Sequence, residues 1–182
     1  HALMVIDIDN FKSVNDVYGH TMGDHVISVI AGVISSQFRS TDYVGRMGGD
    51  EFAVLMGDIP SKEIALIKAE NLVNLVKYKE SLSIPENISI SVGIAFSDPE
   101  DHCYYDLAAK ADQALYVSKK SGKGRYSVFG EENQTPDQKL QAFVWSSSRN
   151  VTSMLEFALP EFVHLKKVIS VEEIRENMGE KT

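Results

Sequence analysis

One short turn, Gly48-Gly49-Asp50-Glu51-Phe52, carries the strongest signal in this chain of 182 residues. Its two glycines leave the backbone bare, so a phosphate group can approach the amides closely. The two carboxylates that follow are hard oxygen ligands of the kind that Mg²⁺ prefers. The turn therefore indicates either a site for metal-assisted phosphoryl chemistry or an ordinary hairpin whose Asp50 and Glu51 face solvent.

The segments around this turn predict strands. A short strand over residues 43–46 enters the turn and the apolar run 52–56 leaves it, which together make a hairpin. Residues 2–6 are apolar throughout and predict a buried strand that ends at Asp7. A polar loop follows that strand and contains Asn10, Asn15, Gly19 and Gly23. Apolar residues then recur at helical spacing, which predicts a helix over about 24–38.

The rest of the domain predicts further alternation of helices and strands. Pro60 and Ser61 mark the start of a second helix. Apolar residues alternate with small ones over 88–95, which predicts a strand with one face exposed to solvent. A third helix over about 105–119 and a last strand over 125–129 follow. The order β-α-β-β-α-β, with this added helix and strand, predicts an α+β fold with a ferredoxin-like, palm-type sheet flanked by helices.

This topology brings distant carboxylates together. In such a sheet the third strand lies antiparallel beside the first, so Asp7 and Asp9 should lie next to Asp50 and Glu51. Clustered carboxylates repel one another unless a cation or bound protons compensate their charge. We therefore predict a metal site at this end of the sheet.

Composition limits the classes of function. The formal net charge of −8 argues against binding nucleic acid through a basic surface. No apolar run reaches the ~20 residues that a membrane-spanning helix needs. The lone Cys103 excludes an internal disulfide framework and indicates a reducing compartment. Because His1 stands almost inside a strand, we expect the chain to be a fragment of a longer protein.

Three segments are predicted along the chain. Residues 1–129 form the α+β domain, and the polar, turn-rich residues 130–139 form a linker. Residues 140–182 form a helical extension whose role cannot be read from the sequence. About forty residues seldom make an independent core. We therefore expect this extension to pack on the domain, to pair with another chain or to begin a further region.

Three motifs in order resemble the GGDEF domain family, the diguanylate cyclases of bacterial signalling. They are the turn at 48–52, the segment DIDNFKSVND at 7–16 and the segment ADQALY at 111–116. The resemblance covers residues 3–129. It implies that two GTP molecules are joined into cyclic di-GMP, with release of two pyrophosphates, by a homodimer that places two sites face to face. The use of GTP indicates the cytoplasm, with a membrane-anchored parent protein left open. The alternative is a catalytically silent module that binds GTP or cyclic di-GMP and regulates a partner.

The resemblance also implies which residues carry the chemistry. Asp7, Asp50 and Glu51 match the catalytic carboxylates. Together with the Ile8 carbonyl they match the ligands of Mg²⁺ or Mn²⁺, while Glu51 is either a ligand or a general base. Asn15 and Asp24 match the positions that read guanine, whose N1–H and N2–H₂ edge a carboxylate can accept from. The plainer alternative is that these two residues cap a loop and a helix.

Phosphate binding and regulation follow from the same resemblance. The groups expected to bind phosphates are Phe11, Lys12, Gly48, Gly49, Lys119 and Lys123. For Lys119 and Lys120 the alternative is an ordinary solvated helix face. Arg39 and Asp42 stand five residues before the glycine pair, which matches the spacing of an allosteric product-binding RxxD site. By itself such a pair is commonly an exposed ion pair at a helix end.

Overall fold

The fold is seen in a computed structural model, which describes residues 1–78, 83–85, 87–98 and 104–131. The described residues form, in order, β1 (Ala2–Asp9), α1 (Phe11–Tyr18), α2 (His20–Gln37), β2 (Tyr43–Gly48), β3 (Glu51–Met56), α3 (Lys62–Lys77), β4 (Ser89–Phe96), α4 (Tyr104–Lys120) and β5 (Tyr126–Val128). The predicted extension at 140–182 and most of the predicted linker lie outside them. Within the described part of the chain, no helix is both long and apolar enough to cross a membrane.

These elements form a single five-stranded sheet in the order β2-β3-β1-β4-β5. The central strand β1 is antiparallel to both β3 and β4, and β5 joins the edge parallel to β4. The prediction that the third strand lies antiparallel beside the first is confirmed, and Asp7 stands opposite Glu51. Residues that are far apart in the sequence, such as Asp7 and Glu51, therefore lie side by side at one end of the sheet.

Helices cover both faces of the central strand. Alternate β1 residues such as Met4 and Ile6 join the core under α2 and α3, and Leu3 and Val5 join a second core under α4. Every residue of β1 is consequently buried. A strand with two buried faces does not alternate between polar and apolar residues, which explains the unbroken apolar run at the start of β1.

The prediction that β4 exposes one face is wrong. Its small residues lie under α4, and Ala95 is fully buried there. A Cβ atom on Gly93 would lie 2.1 Å from the Ala111 carbonyl oxygen and 2.2 Å from the Leu115 nitrogen. The small side chains on this face therefore allow a helix to approach the strand closely, rather than marking a surface in contact with water.

The predicted polar loop after β1 is also wrong, because most of it is helix α1. Asn10 adopts a left-handed backbone conformation with φ of 61°. Its carbonyl accepts from the N–H groups of Ser13 and Val14, which starts the helix. Val14 alone among the α1 residues is fully buried, so the segment lacks the apolar repeat that predicts helices. Helix α2 then begins at His20, four residues before the predicted start.

Candidate active site at one end of the sheet

Asp7 lies at the centre of the candidate site. It is only 5% exposed, and its carboxylate forms an ion pair of 2.6 Å with the Lys119 ammonium of α4. Burial raises the pKa of Asp7 to about 6, Lys119 opposes this rise, and the charges of Asp50 and Glu51 add to it. The three carboxylates therefore lie close enough for Asp50 and Glu51 to raise the pKa of Asp7 by charge repulsion.

Asp9 differs from the prediction, because it does not join this group. It stands opposite Ser89 in the sheet, whereas the pairing of β1 with β3 ends at Asp7. Its carboxylate accepts hydrogen bonds from the Ser89 hydroxyl (2.7 Å), the Ser91 hydroxyl (2.8 Å) and the Gly124 N–H (3.0 Å). Asp9 therefore faces β4 and the α4–β5 turn, away from the hairpin.

The glycine turn is held by Arg46, a residue that is not among the sites predicted from sequence. Its Nε and Nη2 both donate to the Gly49 carbonyl, at 2.9 and 2.6 Å. Gly49 has a φ of 54°, in the left-handed region that glycine adopts without steric cost. Burial lowers the pKa of Arg46, and the nearby charges of Asp24 and Asp50 oppose that effect. In the sequence, this contact is indicated by an arginine that stands two positions before the glycine pair.

The Ile8 backbone also faces this hairpin. Its N–H donates to the Asp50 carbonyl at 3.1 Å. The N–H and C=O of one strand residue point to the same side of the strand, so the Ile8 carbonyl points toward the turn as well. The role of this carbonyl as a metal ligand stays a prediction.

The two guanine-reading candidates lie on packed helices. Asn15 belongs to α1 and Asp24 to α2, and neither is the cap residue of its helix, so the capping alternative is wrong. A Cβ atom on Gly23 would lie 2.0 Å from the Asn15 amide oxygen. The bare glycine therefore lets the Asn15 side chain lie against α2. Asp24 is exposed and near enough to Arg46 for its charge to act there.

The lysines predicted to bind phosphates lie around the same end of the sheet. Lys119 is paired with Asp7 and only 27% of its side chain is exposed, so a solvated helix face is the wrong description of it. The Lys123 ammonium donates to the Asn10 amide oxygen at 2.8 Å. Phe11 and Lys12 begin helix α1 directly after β1. The candidates from α1, the hairpin and α4 are thus brought together.

The predicted product-binding pair forms a turn rather than an exposed ion pair. Asp42 is 3% exposed and its carboxylate accepts from the Arg39 backbone N–H at 3.0 Å. The Arg39 carbonyl in turn accepts from the Asp42 N–H at 3.1 Å. Arg39 is exposed and lines a cavity of about 520 Å³ together with Tyr43 and Leu55. The role of this pair in binding product stays a prediction.

Comparison with known proteins places these observations in a family. A family model described as "Diguanylate cyclase, GGDEF domain" matches residues 1–125. The chain is 37% identical over 129 residues to the probable diguanylate cyclase DgcC of Escherichia coli K12, covering 70% of this chain and 34% of that protein. It thus spans about a third of the length of that curated relative.

Solved structures agree with the fold. The active GGEEF domain of a diguanylate cyclase from Vibrio cholerae matches with a TM-score of 0.65 and 31% identity, over 74% of this chain and 83% of that one. The GGDEF domain of DgcB from Caulobacter crescentus, in complex with c-di-GMP, matches with a TM-score of 0.63 and 31% identity, over 70% and 76% of the two chains. The predicted palm-type α+β fold is confirmed, and this chain belongs to the GGDEF domain family.

Proposed function

We propose that this domain is a diguanylate cyclase, which joins two GTP molecules into cyclic di-GMP and releases two pyrophosphates. One observation carries the proposal: Asp50 and Glu51 both raise the pKa of the buried Asp7 at the end of β1, where Asp7 is paired with Lys119. Three neighbouring carboxylates repel one another, and a domain that only binds nucleotide would not need all three.

The donor set fits Mg²⁺ or Mn²⁺. Among the described residues no three His, Cys, Asp or Glu side chains form a ready-made metal group. The pKa of Asp7 is nevertheless raised to about 6, chiefly by burial; Lys119 opposes the rise, and Asp50 and Glu51 add to it. Asp7, Asp50 and Glu51, with the Ile8 carbonyl, would hold the ion. When bound, the ion would stabilise charge on the phosphates and activate the attacking hydroxyl.

The reaction proposed is the same in each half. The 3′-hydroxyl oxygen of one GTP forms a bond to the α-phosphorus of the other. The bond from that phosphorus to pyrophosphate breaks, and pyrophosphate leaves with the electron pair. The hydroxyl proton must pass to a base, and Glu51 either accepts it or serves as a metal ligand. One domain presents one GTP, so closing the ring requires two domains face to face.

The remaining residues bind and orient the substrate. Asn15 and Asp24 would read the guanine edge. The amides of Gly48 and Gly49 and the start of α1 at Phe11 and Lys12 would hold phosphates. Lys119 and Lys123 would neutralise the charge of these phosphates. Base recognition would thus use Asn15 and Asp24, and phosphate recognition the glycine turn, the start of α1 and the two lysines.

Gly23→Ala is expected to weaken guanine binding about tenfold, because the new methyl group would displace Asn15 and cost one hydrogen bond or more. Titration calorimetry with guanosine and with inorganic tripolyphosphate would separate the two halves of the site. The guanosine affinity should fall more than the tripolyphosphate affinity, because the added Cβ would lie 2.0 Å from the Asn15 amide oxygen and 3.2 Å from the Phe11 ring. Gly32→Ala is the matched control, since a Cβ there meets nothing within 4 Å. An unchanged guanosine affinity in Gly23→Ala would remove Asn15 from the base-reading site.

We also propose that product regulates this domain through Arg39. The Asp42 carboxylate fixes the turn by accepting from the Arg39 backbone N–H, and Arg39 lines the 520 Å³ cavity. A guanidinium can pair with phosphate through two parallel hydrogen bonds. Cyclic di-GMP, with two phosphates and two guanines, has the chemistry that such a group binds.

The deciding experiment is incubation with GTP and Mg²⁺ at several protein concentrations, with nucleotides resolved by chromatography. We expect cyclic di-GMP to appear at a rate that rises more than linearly with protein concentration, because two domains must meet. Cyclic di-GMP added at the start should lower that rate. GTP binding without any product would instead support the module that only senses nucleotide.

A further inference from the structure

We propose that Asp9 is a positioning residue that fixes the α4–β5 turn, so that Lys123 is presented to the substrate phosphates. The proposal rests on the proposed function, since it assumes that nucleotide phosphates bind at this end of the sheet. It assigns the second carboxylate of the DID sequence at 7–9 a role distinct from that of Asp7.

Asp9 is already committed to protein hydrogen bonds. It is 2% exposed, and one carboxylate oxygen accepts from both Ser89 and Gly124, while the other accepts from Ser91. The three donors belong to β4 and to the α4–β5 turn, and Ser91 is fully buried. A carboxylate surrounded by donors in this way joins two pieces of chain that are 115 residues apart.

The turn that Asp9 holds has an unusual backbone. Three consecutive residues, Gly122, Lys123 and Gly124, have positive φ angles of 110°, 63° and 58°. For a lysine this left-handed conformation is less favourable than its usual right-handed or extended one. Such a conformation persists where surrounding contacts determine it. Here the Lys123 N–H donates to the Ser118 carbonyl (3.1 Å), and the next N–H, of Gly124, donates to Asp9.

The Lys123 side chain is anchored from the same place. Its ammonium donates to the amide oxygen of Asn10, the neighbour of Asp9 in sequence. The end of β1 thus contacts the turn twice, through Asp9 at the backbone and through Asn10 at the ammonium. Because β1 also carries Asp7, the same strand places a carboxylate and, indirectly, a cation at the site.

The test compares binding of two probes to the full chain. The first is a GTP analogue with an α,β-methylene bridge, which cannot release pyrophosphate, and the second is guanosine, which has no phosphates. Asp9→Ala and Lys123→Ala should each weaken analogue binding about tenfold or more, the usual effect of losing a charged hydrogen bond. Neither should change guanosine binding. The double variant should bind the analogue as tightly as whichever single variant has the lower affinity for it, because the two substitutions remove the same contact.

Asp9→Asn is the matched conservative variant. Its amide oxygen can still accept from Gly124 and Ser89, and its NH₂ can donate to the Ser91 hydroxyl, which also accepts. Analogue binding by this variant should stay within about twofold of the original chain, well inside the tenfold loss expected above. Should Asp9→Ala fail to fold, Asp9→Ser, whose side chain is too short to reach Gly124, takes its place with the same expectation.

Three results would overturn the proposal: an equal loss of guanosine binding, additive losses in the double variant, or an Asp9→Asn variant as weak as Asp9→Ala. The last result would make the charge of Asp9 the important property, as for a metal ligand. None of these measurements needs turnover, so an absence of cyclic di-GMP in the assay above leaves them interpretable. An original chain that binds neither probe would refute both proposals together.

Discussion

Asp7→Asn is expected to abolish cyclic di-GMP formation and at the same time to make the metal-free protein more stable at neutral pH. The loss of turnover should be at least about 10²–10³-fold, the usual effect of removing a group that stabilises transition-state charge. The gain in stability follows from the pKa of Asp7, which burial and the neighbouring carboxylates raise from 3.8 to about 6 in the folded protein. One substitution should therefore separate function from stability.

The sign of the pH dependence is fixed by that pKa. Between about pH 4 and pH 6 the folded protein keeps a proton on Asp7 that the unfolded chain has lost. Folding stability therefore falls as the pH rises through this window, and the full penalty is present above pH 6. Asparagine carries no charge, so the Asp7→Asn variant lacks this loss of stability. The expected difference in the free energy of unfolding is about 1–3 kcal/mol at pH 7 and close to zero at pH 4.

Urea denaturation in EDTA at several pH values measures this difference. Asp50→Ala is the comparison, because Asp50 is partly exposed and its removal takes away only one neighbour of Asp7. It should abolish turnover with a smaller gain in stability. Turnover by Asp7→Asn within tenfold of the original chain would refute the metal assignment. A stability gain that persists unchanged at pH 4 would show that the charge of Asp7 is not its cause.

Gly93→Ala is expected to destabilise the fold by at least about 3 kcal/mol, at the upper end of overpacking effects. The added methyl group would lie 2.1 Å from the Ala111 carbonyl oxygen and 2.7 Å from the Leu115 Cα. Both are backbone atoms of α4, so no side-chain rotation can relieve the overlap. Helix α4 would have to move away from β4, and Lys119 would move with it.

The same substitution elsewhere should have the opposite effect. Gly32 lies in α2, is exposed, and a Cβ there meets nothing within 4 Å. Gly32→Ala should stabilise the protein by roughly 0.5–1 kcal/mol through helix propensity. Thermal and urea denaturation of both variants would test the contrast. A Gly93→Ala variant as stable as the original chain would mean that α4 does not pack on β4 as closely as described.

Several features of the site were predictable from the sequence because topology determines them. Once strands were assigned to 2–6 and 52–56, antiparallel pairing alone brought Asp7 beside Glu51. The glycine turn and the helical spacing of α2 gave equally direct signals. These inferences needed no knowledge of side-chain contacts, only of strand order.

Other features could not be predicted because one pattern has two physical meanings. The small residues of β4 are typical of a solvent-exposed face and equally of a face that a helix approaches closely, as α4 does at Gly93. Helix α1 buries only Val14 fully, so its sequence reads as a loop. The donors around Asp9 come from β4 and from the turn at Gly124, a combination that no local pattern shows.

The ion pair between Asp7 and Lys119 has a thermodynamic consequence for how ligands bind. A cation at Asp7 would take over the role of the lysine and let its ammonium turn to the phosphates. Phosphates that attract the lysine would, in turn, leave Asp7 in need of a cation. The affinities for metal and nucleotide would then be coupled, and by linkage each ligand must strengthen the other by the same factor. The apo protein, by carrying its own counterion, would discourage either ligand from binding alone.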